Sequence, residues 1–445
     1  MSGSALLGII TALSTPSRSE GAIMLKMPTI EISIINGFSG VLLNRDMNGL
    51  AKRLDFGNTT RVRVSSQCIK RHWRVTGSPH ALKAVGDTSI RSKDTFGREI
   101  ALPLIGEGLP EEAVIGVLLS FQDALFDSDK EEKKKSKADR RRAIRESGAD
   151  PIELLRRKEL VILGQPEIRW MRDQTREMVA KAVEAAERDK AELDLDALFA
   201  EAEAFMKDNK ANMRAMKNAA GLDVALFGRM VAGDIEARVD AAVHVAHAFT
   251  VSKPQVNSDF FTAVDDLMTG TDSGGAGHMN TTELTSGYFY HYTVIDVPLL
   301  VSNIDGCAPG DWERAAPESL DMARKVIESL IHMAATVSPG AKKGSTAPYA
   351  SADLVYVQVG DRLPMTLANA FRRPVADELD AVQDAMTNYI TRKDAQMGID
   401  AGDYSRWIAS ISDRPAPPHA KAASVPALAA GVAAAAIPTR EVCDA

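Results

Sequence analysis

Between two flanks of alternating apolar and polar residues, the chain switches over Thr76–Ala219 to a charged, helix-forming composition, and this interruption constrains its fold most. Residues Arg172–Asn218 are rich in Ala, Glu, Lys, Met and Leu and poor in Gly and Pro, as long helices are. Upstream, Asp127–Arg145 mixes a block of acids with Lys133, Lys134, Lys135, Lys137 and Arg140–Arg142. The acids favour a solvated face there, and the cations keep nucleic-acid contact open as the other reading. Because the alternating pattern resumes afterwards, the block reads as a helical insertion in a mixed domain.

The flanks supply the rest of that domain. Ile30, Ile32 and Ile34 alternate with Glu31 and Ser33 over Thr29–Asn36, the period of a half-buried strand. Arg61–Val64 alternates too and puts Arg61 and Arg63 on one strand face. Ser65 and Ser66 then cap a helix over Gln67–Arg74, with Ile69 and Trp73 as its apolar stripe and Lys70, Arg71 and Arg74 on other faces. After Gly221 the pattern predicts a short strand at Asp223–Phe227, a helix at Ile235–Phe249 and a loop at Met268–Asn280. A strand pair or bent strand follows at Ser286–Val297, then a helix at Pro317–Thr336, a strand at Asp353–Val359 and a helix at Glu378–Arg392. Strand, helix and strand with long insertions imply an α+β, RRM-like (ferredoxin-like) core, whose sheet is a common surface for single-stranded RNA.

Charge is distributed unevenly over this plan. The whole chain carries a formal charge of -7, which by itself opposes binding to a polyanion. From Arg45 through Arg74, however, eight Lys and Arg face two Asp, a cationic segment in an acidic protein. Such a run is either a solvated face or a groove for phosphates. Cys68, Cys307 and Cys443 have no paired-ligand spacing, which argues against a zinc site or disulfide framework and fits a reducing cytoplasm. The apolar run Leu6–Leu13 is too short to span a bilayer, so no membrane role is expected. Residues 1–27 read as a flexible N-terminal extension, with Met24 or Met27 as alternative starts, and the Pro- and Ala-rich residues 411–445 as a flexible or loosely packed tail.

An ordered set of segments carries a family resemblance across most of residues 29–390. They are Leu43–Asp46 (LNRD), Arg61–Arg71 (RVRVSSQCIKR), Gly228–Met230 (GRM), Phe261–Leu267 (FTAVDDL), Gly277–Tyr290 (GHMNTTELTSGYFY), Pro339–Lys342 (PGAK) and Pro364–Phe371 (PMTLANAF). In this order they resemble the backbone subunit, the CasC subunit, of the type I-E CRISPR Cascade complex, within the RAMP superfamily. The resemblance implies copies stacked as a right-handed helical filament on a guide crRNA, each with an RRM-like palm, helical fingers and an extended thumb that displaces a nucleotide at regular intervals. Carried onto this chain, the palm comprises 28–75, 220–252 and 284–410, the fingers 76–219 and the thumb 253–283. The partners implied are crRNA, target DNA through the guide duplex, further copies of the chain, the small and large Cascade subunits, and a separate helicase-nuclease that cuts the DNA. The role implied is antiviral defence without catalysis, and no cofactor is expected.

A holder of RNA needs cations and small donors along the phosphate line. Arg45, Arg61, Arg63, Ser66, Gln67, Lys70 and Arg71 are therefore the leading candidates. Arg61 has a second reading in a local ion pair or a subunit contact. Met230 is either an apolar wedge between nucleotides, as the resemblance implies, or core filler. Phe260 and Phe261 either stack on bases or pin their own loop, and Phe260 stands where the family often has the larger Trp. His278 matches a position near the displaced nucleotide, and it has no partner at metal-ligand spacing. His244 and His247 lie three apart on the expected helix and are better read as packing residues. Lys342 is either a further phosphate contact or a solvated lysine. The paired Asp265 and Asp266 leave open a metal-dependent RNA endonuclease. A structural scaffold that binds no RNA is the remaining alternative.

Overall fold

The computed structural model describes residues 27–126, 150–209, 221–229, 238–264 and 276–439, with backbone alone at 261–264 and 276–280. The basic run at 133–145, Met230, Asp265, Asp266 and nearly all of the N-terminal extension lie outside the described residues.

A ten-stranded sheet runs through both flanks, in the order β12-β11-β10-β1-β9-β7-β3-β2. At its centre β1 (Thr29–Val41) lies antiparallel between β9 (Ala276–Asp296) and β10 (Leu354–Gly360). On one side follow β11 (Tyr404–Ser410) and β12 (Ala420–Ala422), and on the other β7 (Ala248–Thr250), β3 (Thr59–Val64) and β2 (Arg53–Phe56). Strand β6 (Val243–Val245) also pairs with β9.

Both faces of β1 are buried. Ile30, Ile32 and Ile34 pack among helices α1 (Ser66–Val75), α6 (Val297–Asp305), α7 (Pro317–Thr336) and α9 (Val425–Ala436). On the opposite face Ile35 packs with Tyr290, Tyr356, Phe371 and Ile408 under α8 (Leu379–Met397). Glu31 is buried on that face and accepts from Tyr292 Oη at 2.6 Å, Gln358 Nε2 at 2.8 Å and the Met365 backbone N at 2.7 Å. A face closed this way is no open platform for single-stranded RNA, which corrects the expectation from an RRM-like sheet and moves the search to the edges.

The insertion has its own core. Phe121, Val117, Met171, Leu198, Phe199 and Met206 cluster where α2 (Glu111–Leu125), α3 (Gln165–Asp189) and α4 (Leu195–Asp208) meet. A two-stranded sheet of β4 (Ser89–Ser92) and β5 (Val161–Gly164) lies beside them. Between insertion and sheet, α5 (Leu222–Phe227) replaces the strand expected at Asp223–Phe227. Within the helix expected at Ile235–Phe249, residues 243–245 and 248–250 are the strands β6 and β7, because β9 offers them a ladder edge. His244 and His247 are therefore not helix neighbours.

Strand β9 reaches beyond the sheet. Its second half pairs with β1, while its first half pairs with β8 (Gln255–Val264), so residues 255–264 and 276–286 form a two-stranded arm. Residues 276–280, expected to be loop, belong to it. Where arm meets sheet, Gly287 takes φ 124°, and the Tyr288 backbone N donates to Asp377 Oδ1 at 3.0 Å. The Ala-rich tail differs from expectation as well. Over Val425–Ala436 it is a helix that buries Leu428, Ala429, Val432, Ala433 and Ala436 and packs on α7, with Gly431 lying close against Trp407.

Candidate nucleic-acid interface

The segment from β3 into α1 folds as its sequence dictates. Ser65 is the N-cap, its hydroxyl accepting from the Cys68 backbone N at 3.4 Å, and its own backbone N donates to Asn44 Oδ1 at 3.0 Å. Ile69 and Trp73 anchor the helix in the core, which leaves Gln67 and Arg71 exposed and Lys70 and Arg74 half-buried. The Ser66 backbone N donates to His247 Nδ1 at 2.9 Å. Burial, with Arg63 and Lys52 nearby, pulls the His247 imidazole below its ordinary pKa.

Arg61 and Arg63 share a face of β3 but not an environment. Arg61 is fully buried and donates from Nη1 to the carbonyls of Thr250 at 2.9 Å and Ser252 at 2.8 Å, and from Nη2 to that of Phe371 at 3.0 Å. It joins three chain segments inside the fold, so phosphate contact is corrected to an internal role, and it makes no ion pair among the described residues. Arg63 lies nearer the sheet edge, partly exposed, with its Nε donating to the Arg53 carbonyl at 3.1 Å. Arg45 is exposed in the loop before β2, where Asp46 Oδ1 accepts from the Asn48 and Leu50 backbones at 2.8 and 3.0 Å.

The charge of α1 continues onto the insertion. Burial, then the charges of Arg91 on β4 and of Arg74, lowers the Lys70 pKa. Burial and Arg91 lower that of Arg74 in turn, against a smaller opposing effect from Asp223. Among the described residues no ion pair ties Lys70, Arg71, Arg74 or Arg91 to a carboxylate. Burial is the larger cause in both groups, and the positive charge of Arg91 acts on each in the same direction. Arg91 was missed in the sequence because it lies outside the basic run and enters the site only through folding.

The remaining candidates lie on or beside the arm. Lys342 donates from Nζ to Thr282 Oγ1 of β9 at 2.8 Å, so it supports the arm's base. Arg53 pairs with Glu283 of the same strand at 2.7 Å. Phe260 is 63% exposed. Phe261 faces Asn280 in the ladder, and His278 faces Ala263. Among the described residues no group of three His, Cys, Asp or Glu is arranged to hold a metal, and no helix is long and apolar enough to cross a membrane.

Comparisons with known proteins agree in direction. The family model described as CT1975-like protein matches residues 30–430. A chain from a solved structure titled "CRISPR RNA-guided surveillance complex, pre-nicking" is 26% identical with a TM-score of 0.66, over 92% of this chain and 100% of that one. A chain from a second, titled "CRISPR RNA-guided surveillance complex", is 22% identical with a TM-score of 0.52, over 92% and 99%, and bears on the fold alone. No curated protein matches.

Proposed function

The chain belongs to the CT1975-like Cas family, and from that premise we propose that it is a guide-RNA-binding backbone subunit of a CRISPR surveillance complex. The observation that carries the reading is the cationic strip from Arg63 along α1 to Arg91, collected without ion-paired carboxylates among the described residues. In this reading Arg45, Arg63, Ser66, Gln67, Lys70 and Arg71 neutralise and hydrogen-bond the guide phosphates and leave the bases free. Base pairing then supplies sequence recognition of target DNA, and the protein supplies shape. The arm, with Phe260, Phe261 and His278, acts as the thumb that interrupts the guide beside a neighbouring copy.

The finer assignment follows the resemblance. Several copies form a filament of the type I-E, RAMP kind in the cytoplasm, with small and large subunits alongside, and a separate helicase-nuclease performs the cleavage. The chain itself supplies no catalytic group. Co-expression with a guide, purification of the assembly and measurement of its RNA by absorbance at 260 nm tests the proposal. Lys70→Glu with Arg71→Glu should reduce the RNA to background and prevent ordered assembly, whereas unchanged RNA content would reject the reading.

A further inference from the structure

Two kinds of bond hold the root of the arm. Some end on β9 alone: Glu283 accepts from the Ala51 backbone N at 3.1 Å and pairs with Arg53 at 2.7 Å, and Thr285 Oγ1 donates to the Val41 carbonyl at 2.9 Å. The carboxylate of Asp377, in the segment that leads into α8, does more. Its Oδ1 accepts from the Tyr288 backbone N at 3.0 Å and from Ser252 Oγ at 3.3 Å, and its Oδ2 accepts from Gln255 Nε2 at 3.3 Å. Tyr288 lies on β9 just past the arm, Gln255 begins β8, and Ser252 lies between β7 and β8. One side chain therefore bonds both strands where they leave the sheet. Gly287 makes room for it: its φ is 124°, and a Cβ there would lie 3.2 Å from Asp377 Oδ1 and 3.4 Å from Ser252 Oγ.

We propose that Asp377 is the positioning residue of the arm, a latch that fixes the angle at which β8 and β9 leave the sheet and so the place where Phe260 is presented. The inference rests on the RNA contact proposed for the arm above and adds the device that aims it. A two-stranded ribbon is marginally stable by itself, so its direction is set at its root. Bonds to β9 alone leave the ribbon free to swing about residue 287, where glycine tolerates conformations closed to other residues. A bond to the β8 side as well removes that freedom. Hydrogen bonding rather than charge does the holding, since the three donors are a backbone N–H, a hydroxyl and an amide, all neutral. Asp377→Asn keeps an acceptor for Tyr288 and Ser252, and its new amide donates to the Gln255 side-chain oxygen once that side chain turns over.

The test measures the arm's direction in the full chain, by pulsed electron resonance between nitroxides carried on p-acetylphenylalanine at Asp259 of β8 and Glu318 of α7, both exposed positions. The wild type and Asp377→Asn should each give one narrow distance distribution, and Asp377→Ala a broad one. A narrow distribution in Asp377→Ala, or a broad one in Asp377→Asn, overturns the latch. Anisotropy with fluorescein-labelled single-stranded RNA then reads the consequence. Phe260→Ala should weaken binding about fivefold or more in the wild type and by much less in Asp377→Ala, where the ring is no longer aimed. Equal losses in the two backgrounds overturn the positioning role. No loss in the wild type would instead remove the arm's RNA contact beneath it, while the distance distributions still judge the latch. Should Asp377→Ala fail to fold, Gln255→Ala, which removes only the exposed donor to Oδ2, decides: a broadened distribution upholds the latch and an unchanged one overturns it.

Discussion

At the scale of single residues, His291 predicts how stability depends on pH. Its imidazole is fully buried beside Trp73, ring centroids 5.6 Å apart, and burial pushes its pKa down from 6.5 to about 4. The unfolded chain takes up this proton near pH 6.5, while the folded chain refuses it until about pH 4. Its contribution is therefore complete above pH 6.5 and lost as pH falls towards 4, by about 3 kcal/mol. Urea titrations over that range should show the decline, and His291→Gln should remove this part of it. Glu31 works in the opposite sense, because burial raises its pKa and its contribution is lost as pH rises through that folded value. Burial was also what the sequence concealed about the arginines of β3. Alternation placed Arg61 and Arg63 on one face, but Thr250, Ser252 and Phe371 decide that Arg61 is enclosed, and they lie far along the chain.

At the scale of elements, the insertion's separate core makes it separately breakable. Gly116 on α2 faces Phe199 on α4 so closely that an added Cβ would lie 1.7 Å from the ring. Gly116→Ala should overpack this contact, costing about 1–3 kcal/mol. Hydrogen exchange should then quicken in α2 and α4 while β1 and β10 keep their protection. Helices α2, α3 and α4 were legible in the insertion's helix-forming composition, which gave no sign of β4 and β5, and α7 was legible because its amphipathic pattern is long, at Pro317–Thr336. β6 and β7 were not: three residues each, they owe their extended form to β9. Residues 276–280 of the arm looked like a loop because their glycine-containing sequence pairs backbone to backbone and needs no apolar alternation. In α9 the alanines read as an unpacked tail, whereas Ala429, Ala433 and Ala436 are buried and Gly431 lies close against Trp407.

At the scale of the molecule, a net charge of -7 and a cationic strip have different consequences for assembly. The acidic remainder disfavours indiscriminate binding to polyanions, while in the proposed function the strip would provide a local, salt-sensitive hold. The arm that leaves the sheet carries Phe260, 63% exposed. If Phe260 stacks on a guide base, Phe260→Ala should weaken RNA binding by about 1–3 kcal/mol. The salt slope should stay unchanged, because stacking releases no counterions. The melting temperature of the free chain should also stay unchanged, because a ring already exposed in the monomer leaves no cavity when removed. Parallel anisotropy and thermal-denaturation measurements distinguish the outcomes: a lower melting temperature with intact affinity would make Phe260 a structural residue of the arm. Lower affinity at constant slope and constant melting temperature would make it the stacking element, acting independently of the phosphate contacts of α1.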